Sequence, residues 1–217
     1  MADWVTISSL ATAGGTLVLA VATFSSVRSA NRSARVAERS LLAGLRPVLI
    51  PTHQDDREEQ VTFGDGVTLT LPGNGGAIER HDGIVYFGMG VRNGGSGLAV
   101  IHAWRARPRA ESTEGPPDVD EFRHQQIDLY IPAGDTGRWF GALRDPQEPG
   151  YTEVTEALDA HDVMQVDLLY GDHEGGQRTI ARFILRPWLE GEGEEARVVG
   201  KRAVVLRYWN LDREDPR

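Results

Sequence analysis

From Trp4 to Val27 the chain runs for 24 residues without a charge, and arginines follow at once at Arg28, Arg32, Arg35 and Arg39. As a helix such a run is roughly 36 Å long, enough to cross a hydrocarbon core of about 30 Å with some tilt. A soluble domain rarely opens with an uncharged run of this length sealed by cations, so 4–27 is expected to be a transmembrane helix. Two other readings compete. A secretory signal places basic residues ahead of its apolar run, whereas only Met1, Ala2 and Asp3 stand here. A buried core helix is the stronger rival, because Thr6, Ser8, Ser9, Thr12, Gly14, Gly15, Thr16, Thr23, Ser25 and Ser26 dilute the hydrophobicity.

The flanks predict orientation. One acid, Asp3, lies on the N-terminal side and four arginines lie on the other. Positive residues beside a span stay cytoplasmic, so the expected topology is single-pass in the inner (plasma) membrane, N-terminus out and C-terminal part in the cytosol. Val27, Ala30, Ala34, Ala37 and Leu41 continue an apolar stripe at spacings of 3 and 4, which predicts a basic juxtamembrane helix over 28–45. Gly44 and then Arg46-Pro47 supply its stop. Beside an anionic leaflet each arginine is worth about 1 kcal/mol, so membrane lipid is the first expected partner. Within the span, Ala11, Gly15 and Ala22 belong to a stripe of small residues that lets two helices approach closely, the basis for expecting a homodimer.

Charge is divided unevenly: residues 1–46 carry a net +3 and residues 47–217 a net −12. A domain so acidic is repelled by phosphate backbones, which excludes nucleic acid as an expected partner. The absence of cysteine fits a reducing compartment. Lys201 is the one lysine among 23 basic residues, a bias that fits a GC-rich, bacterial-type genome.

From Pro47 the hydrophobic period changes from 3.6 to 2. Val67–Leu71 alternates strictly, Val85, Phe87, Met89 and Val91 share one face, and Leu98, Val100, His102 and Trp104 share another. Asn93-Gly94 between the latter two runs predicts a hairpin, and a second hairpin is expected from Val163–Tyr170 and Gln177–Trp188. Further strands are expected at 46–51, 60–63, 127–131, 136–142 and 198–210, with a short helix at 153–159 capped by Thr152. Nine or ten short strands without βα alternation predict an all-β fold, an antiparallel β-sandwich of Ig-like architecture over 46–211, followed by a polar tail at 212–217.

Catalytic spacing is missing. Gly94-Gly95-Ser96-Gly97-Leu98 lacks the nucleophile-elbow register, and Gly73-Asn74-Gly75-Gly76 lacks the lysine and helix of a phosphate loop, so it reads as a flexible turn. The six histidines are scattered without metal-ligand spacing, and Asp172-His173-Glu174 reads as a solvated turn. No cofactor and no catalytic or metal residue is expected. Ile180, Arg182, Ile184, Arg186 and Trp188 alternate onto one strand face, and Arg182, Arg186 and Trp188 make it a candidate docking surface for a protein.

Two function classes follow. One is a non-enzymatic interaction or scaffold module tethered to the cytoplasmic face of the membrane. The other is a membrane-tethered hydrolase or small-ligand binder whose site is assembled from distant loops.

Overall fold

The computed structural model of this chain describes residues 3–108, 115–190 and 197–212, with backbone alone at 5–7, 11, 42–43, 190 and 197–199. It divides into two units, the first ending at Gly44 and the second beginning at Leu45. The first is one uninterrupted helix, α1 (Trp4–Gly44), so the apolar run and the basic segment share a single axis. Between Ser8 and Leu41 it holds a stretch apolar and long enough to cross a membrane, and none of that stretch is buried.

The second unit is mostly antiparallel β-sheet, as the alternation predicts. Its strands are β1 (Leu49–Pro51), β2 (Glu59–Thr62), β3 (Thr68–Leu71), β4 (Gly75–His81), β5 (Ile84–Asn93), β6 (Ala99–Pro108), β7 (Arg123–Ile131), β8 (Thr136–Leu143), β9 (Met164–Gly171), β10 (Thr179–Glu190) and β11 (Arg197–Asn210). Nine form one sheet in the order β1-β5-β4-β11-β10-β9-β6-β7, with β8 also paired to β5. The sheet folds over into a sandwich. Val85, Phe87, Met89 and Trp139 from one layer meet Trp104, Val166, Leu168, Phe183 and Leu185 from the other in the main core. Rings of Phe87, Trp104 and Trp139 pack with centroids 5.3–6.4 Å apart. Gly141 admits the Trp104 ring, since a Cβ there would stand 2.6 Å from it.

Both outer faces are partly roofed. The β2–β3 hairpin lays Val61, Phe63, Leu69 and Leu71 over Tyr86, and Gly88 leaves the space that Leu71 fills. On the opposite layer Phe122 and Trp209 cover Ala103, Leu169 and Ile180. The helix α2 (Tyr151–Asp159) sends Val154 and Ala157 into the main core.

Three local expectations are corrected. Strands β5 and β6 do not pair, so Asn93–Gly97 is a crossover between layers and not a hairpin turn. Asn93 is fully buried there. Its Oδ1 accepts from Val48 N at 3.1 Å and Gly95 N at 3.0 Å, and its Nδ2 donates to Gly97 O and Ile131 O at 2.6 and 3.0 Å. The amide thus does the work of a turn between segments that belong to different layers. The run Gly73–Gly76 is a turn only at Gly73 and Asn74; Gly75 and Gly76 already belong to β4. A Cβ at Gly73 would strike the carbonyls of His53, Gln54 and Asp56, and one at Gly76 would strike that of Gly88, so bare backbone is required for close approach. Finally, α2 begins at Tyr151 after Gly150 in a left-handed conformation, with no side-chain cap, so Thr152 lies inside the helix. The β9–β10 hairpin is present as expected.

Candidate functional site

The predicted face on β10 divides into two unlike halves. In the ladder, Asp167 of β9 stands between Arg105 of β6 and Arg182 of β10, and Arg182 is in turn opposite Arg207 of β11. One row across four strands therefore carries three arginines and one aspartate. Arg182 Nε and Nη2 donate to Asp167 at 2.8 and 3.0 Å, Arg105 Nη2 at 2.7 Å, and Gln165 Nε2 at 3.0 Å. Glu121, on a 3-10 turn at Val119–Glu121, accepts from Arg105 and Arg107. The Trp209 ring lies over Arg182, 4.7 Å from centroid to guanidinium carbon.

This corrects the expectation for Arg182. At 1 % exposure it is an internal strut and offers nothing to a docking partner. Removing one member of such a buried network strands the remaining charges, at a cost of about 3–5 kcal/mol. Sequence reading missed Arg105 and Asp167 because only strand register brings them beside Arg182.

Arg186 is exposed and Trp188 half-buried. Pairing of β10 with β9 ends at Leu185, opposite Met164, so β10 from Arg186 onward pairs only with β11. Trp188 lies opposite Gly200, and the Arg202 guanidinium stacks on its ring at 4.5 Å. On this two-stranded arm Leu189 is 57 % exposed, and farther along β11, beside the part of β10 that still pairs with β9, Val204 is 49 % and Leu206 55 % exposed. Leu206 is thrust out where the β10–β11 register shifts. An isolated hairpin is marginal in water, and a stacked cation–π pair adds about 0.5–1 kcal/mol at an exposed site.

The helix residues stand as the spacing predicts. Arg28, Arg32, Arg35 and Arg39 are all exposed on α1. A Cβ at Gly15 would meet nothing within 4 Å outside its own helix backbone and Ala22 is exposed, while the Ala11 side chain lies outside the described set. The hydroxyls of Thr12, Thr16, Thr23 and Ser25 each donate to a carbonyl one turn back, at 2.8–2.9 Å. Polar side chains that satisfy themselves on their own helix leave little to be solvated, which suits a hydrocarbon surround.

Two of the grooves that indent the sandwich are roomy. One, of about 730 Å³, lies among the end of β6, the 3-10 turn and the start of α2, where Arg105 and Arg107 face Glu121. The other, of about 660 Å³, lies between β4 and Lys201. The Asp172 carboxylate is consumed by its own turn, accepting from Glu174 N, Gly176 N and Gln177 Nε2, while His173 and Glu174 face solvent. Among the described residues no group of three or more histidine and carboxylate side chains is placed to hold a metal ion. No family model, curated protein or solved structure matches the chain.

Proposed function

We propose that this chain is a single-pass membrane protein, N-terminus out, whose sandwich acts as a tethered interaction or scaffold module on the cytoplasmic side. The observation that carries the reading is α1 itself. Its uncharged part is long enough to span and is unburied, the hydroxyls of Thr12, Thr16, Thr23 and Ser25 are bonded to its own backbone, and its exposed arginines sit at one end. Water solvates such a surface poorly and lipid solvates it well. The arginines then hold their end in the cytosol and against anionic lipid.

For the sandwich, the β10–β11 arm supports contact with another protein. It carries the exposed Leu189 next in sequence to Trp188, whose ring stacks with Arg202, and Val204 and Leu206 add exposed apolar surface farther along β11; aromatic residues with arginine are enriched where proteins meet. A partner with a basic rim suits the net −12 of residues 47–217.

The chain has no cysteine, so single cysteines report position cleanly. Asp3→Cys and Glu174→Cys are compared in intact cells with a membrane-impermeant maleimide. Labelling at position 3 and protection at position 174 are expected. Recovery of the full-length chain without detergent, or loss of the first segment by cleavage, would refute the span.

A further inference from the structure

Strands β4 and β11 pair over two residues only, Gly76 with Lys201 and Gly75 with Arg202. From Gly76 onward β4 follows β5 to the pair His81–Ile84, while β11 follows β10, so the two strands part. The cleft between them, about 660 Å³, is walled by Glu79, Arg80, His81, Asp159, His161 and Lys201. Most of its charges are already matched. Arg80 donates to both oxygens of Asp159 at 2.9 and 3.2 Å, and His81 Nε2 meets Glu79 at 2.9 Å.

Lys201 is different. It is 6 % exposed, and its Nζ donates to the backbone carbonyl of Asp162 at 3.2 Å with no ion pair to any described carboxylate. The Asp162 carboxylate accepts from Val163 N and attracts the amine only at longer range. Burial lowers the Lys201 pKa from the usual lysine value, and that attraction does not offset it. Buried cations are ordinarily paired, because an isolated charge loses its hydration without compensation. Here the deficit opens onto a cleft, in the one place where a chain otherwise built with arginine carries lysine. A compact ammonium suits a single point contact, whereas a guanidinium presents a rigid fork of donors.

We propose that the cleft between β4 and β11 binds a carboxylate, with the Lys201 ammonium as its counter-ion. A singly charged group fits better than a phosphate dianion, since Glu79 and Asp159 stand on the same walls and only one cation is uncommitted to an acid. The carboxylate belongs either to a small organic acid or to the free C-terminus of a peptide laid along the parted strand edges.

The sole lysine makes the test direct. The full-length protein, in nanodiscs of zwitterionic lipid and labelled with 13Cε-lysine, gives one side-chain signal. It is titrated with propionate, with acetyl-triglycine and with acetyl-triglycinamide. A saturable shift with an acid, and an upward move of the Lys201 titration midpoint in its presence, are expected, with no effect of the amide. Saturation by propionate alone assigns a small acid, and saturation by acetyl-triglycine alone assigns a peptide terminus. No saturable shift with either acid at millimolar concentration, or an equal shift with the amide, overturns the proposal. Lys201→Met is expected to abolish calorimetric binding of the same acid, and the wild-type titration decides the matter even if that variant misfolds.

Discussion

Arg182 of β10 and Asp167 of β9 stand opposite one another in the ladder, joined by two charge-assisted hydrogen bonds of 2.8 and 3.0 Å in a site closed to solvent. Arg105 enters the same carboxylate from β6. Asp167→Leu takes this carboxylate from the buried Arg182 and leaves Arg105 with Glu121. It is expected to cost about 3–5 kcal/mol in denaturant unfolding followed by tryptophan fluorescence. Adding Arg105→Met and Arg182→Met to Asp167→Leu is expected to recover much of that loss, because apolar replacements carry no desolvation cost.

Asn93 makes a second prediction. Its side chain holds the amides of Val48 and Gly95 and the carbonyls of Gly97 and Ile131. Each buried backbone group left unpaired costs about 1–3 kcal/mol, so Asn93→Ala is expected to lower stability by about 3 kcal/mol or more. Asn93→Asp keeps the two acceptor contacts but sets a charge against two carbonyls, and it is expected to be no better at neutral pH. Equilibrium unfolding of the two variants checks the order.

Acid sensitivity has an identifiable source at Asp65. Its carboxyl is held at about 2, down from 3.8, chiefly by the Arg144 guanidinium and next by the Tyr86 hydroxyl, against an opposing effect of burial. A carboxyl depressed in the folded state contributes in full above its unfolded value and loses that contribution as pH falls from 3.8 towards 2. Asp65→Asn is therefore expected to flatten the stability profile across that window and to leave its shape at neutral pH unchanged. Thermal melts taken through the acid range measure this.

Orientation should follow the arginines. Replacing Arg28, Arg32, Arg35 and Arg39 together by glutamine removes four charges worth about 1 kcal/mol each beside an anionic leaflet. Mixed or inverted topology is expected, read as maleimide labelling at Glu174→Cys in intact cells. Restoring arginine at Arg28 and Arg32 alone is expected to recover most of the original orientation, since charges near the end of a span dominate.

Much of the fold was legible in short patterns. Alternation in Val67–Leu71 and in Val85–Val91 placed strands where β3 and β5 lie, and the 3-and-4 spacing from Val27 to Leu41 carried the helix to its stop at Gly44. The reason is that period reports which side of an element is apolar, and that is a local property. Asn93-Gly94 misled because the same dipeptide that favours a tight hairpin also serves where an amide side chain bridges distant backbone. Gly75-Gly76 misled because absent side chains signal close approach as well as flexibility, and only the neighbouring strands reveal which applies.

By itself, then, the amino-acid order determined a long uncharged helix ending in arginines, a β-rich acidic remainder, and strand faces of definite polarity, since these depend on residues within one or two turns of each other. Tertiary structure alone decided that Arg182 is a buried strut while Arg186 stays exposed, and that Lys201 lines a cleft with no ion pair to a described carboxylate. Both outcomes turn on which strands lie side by side and where they part, and that register is set by the packing of residues far apart in the chain.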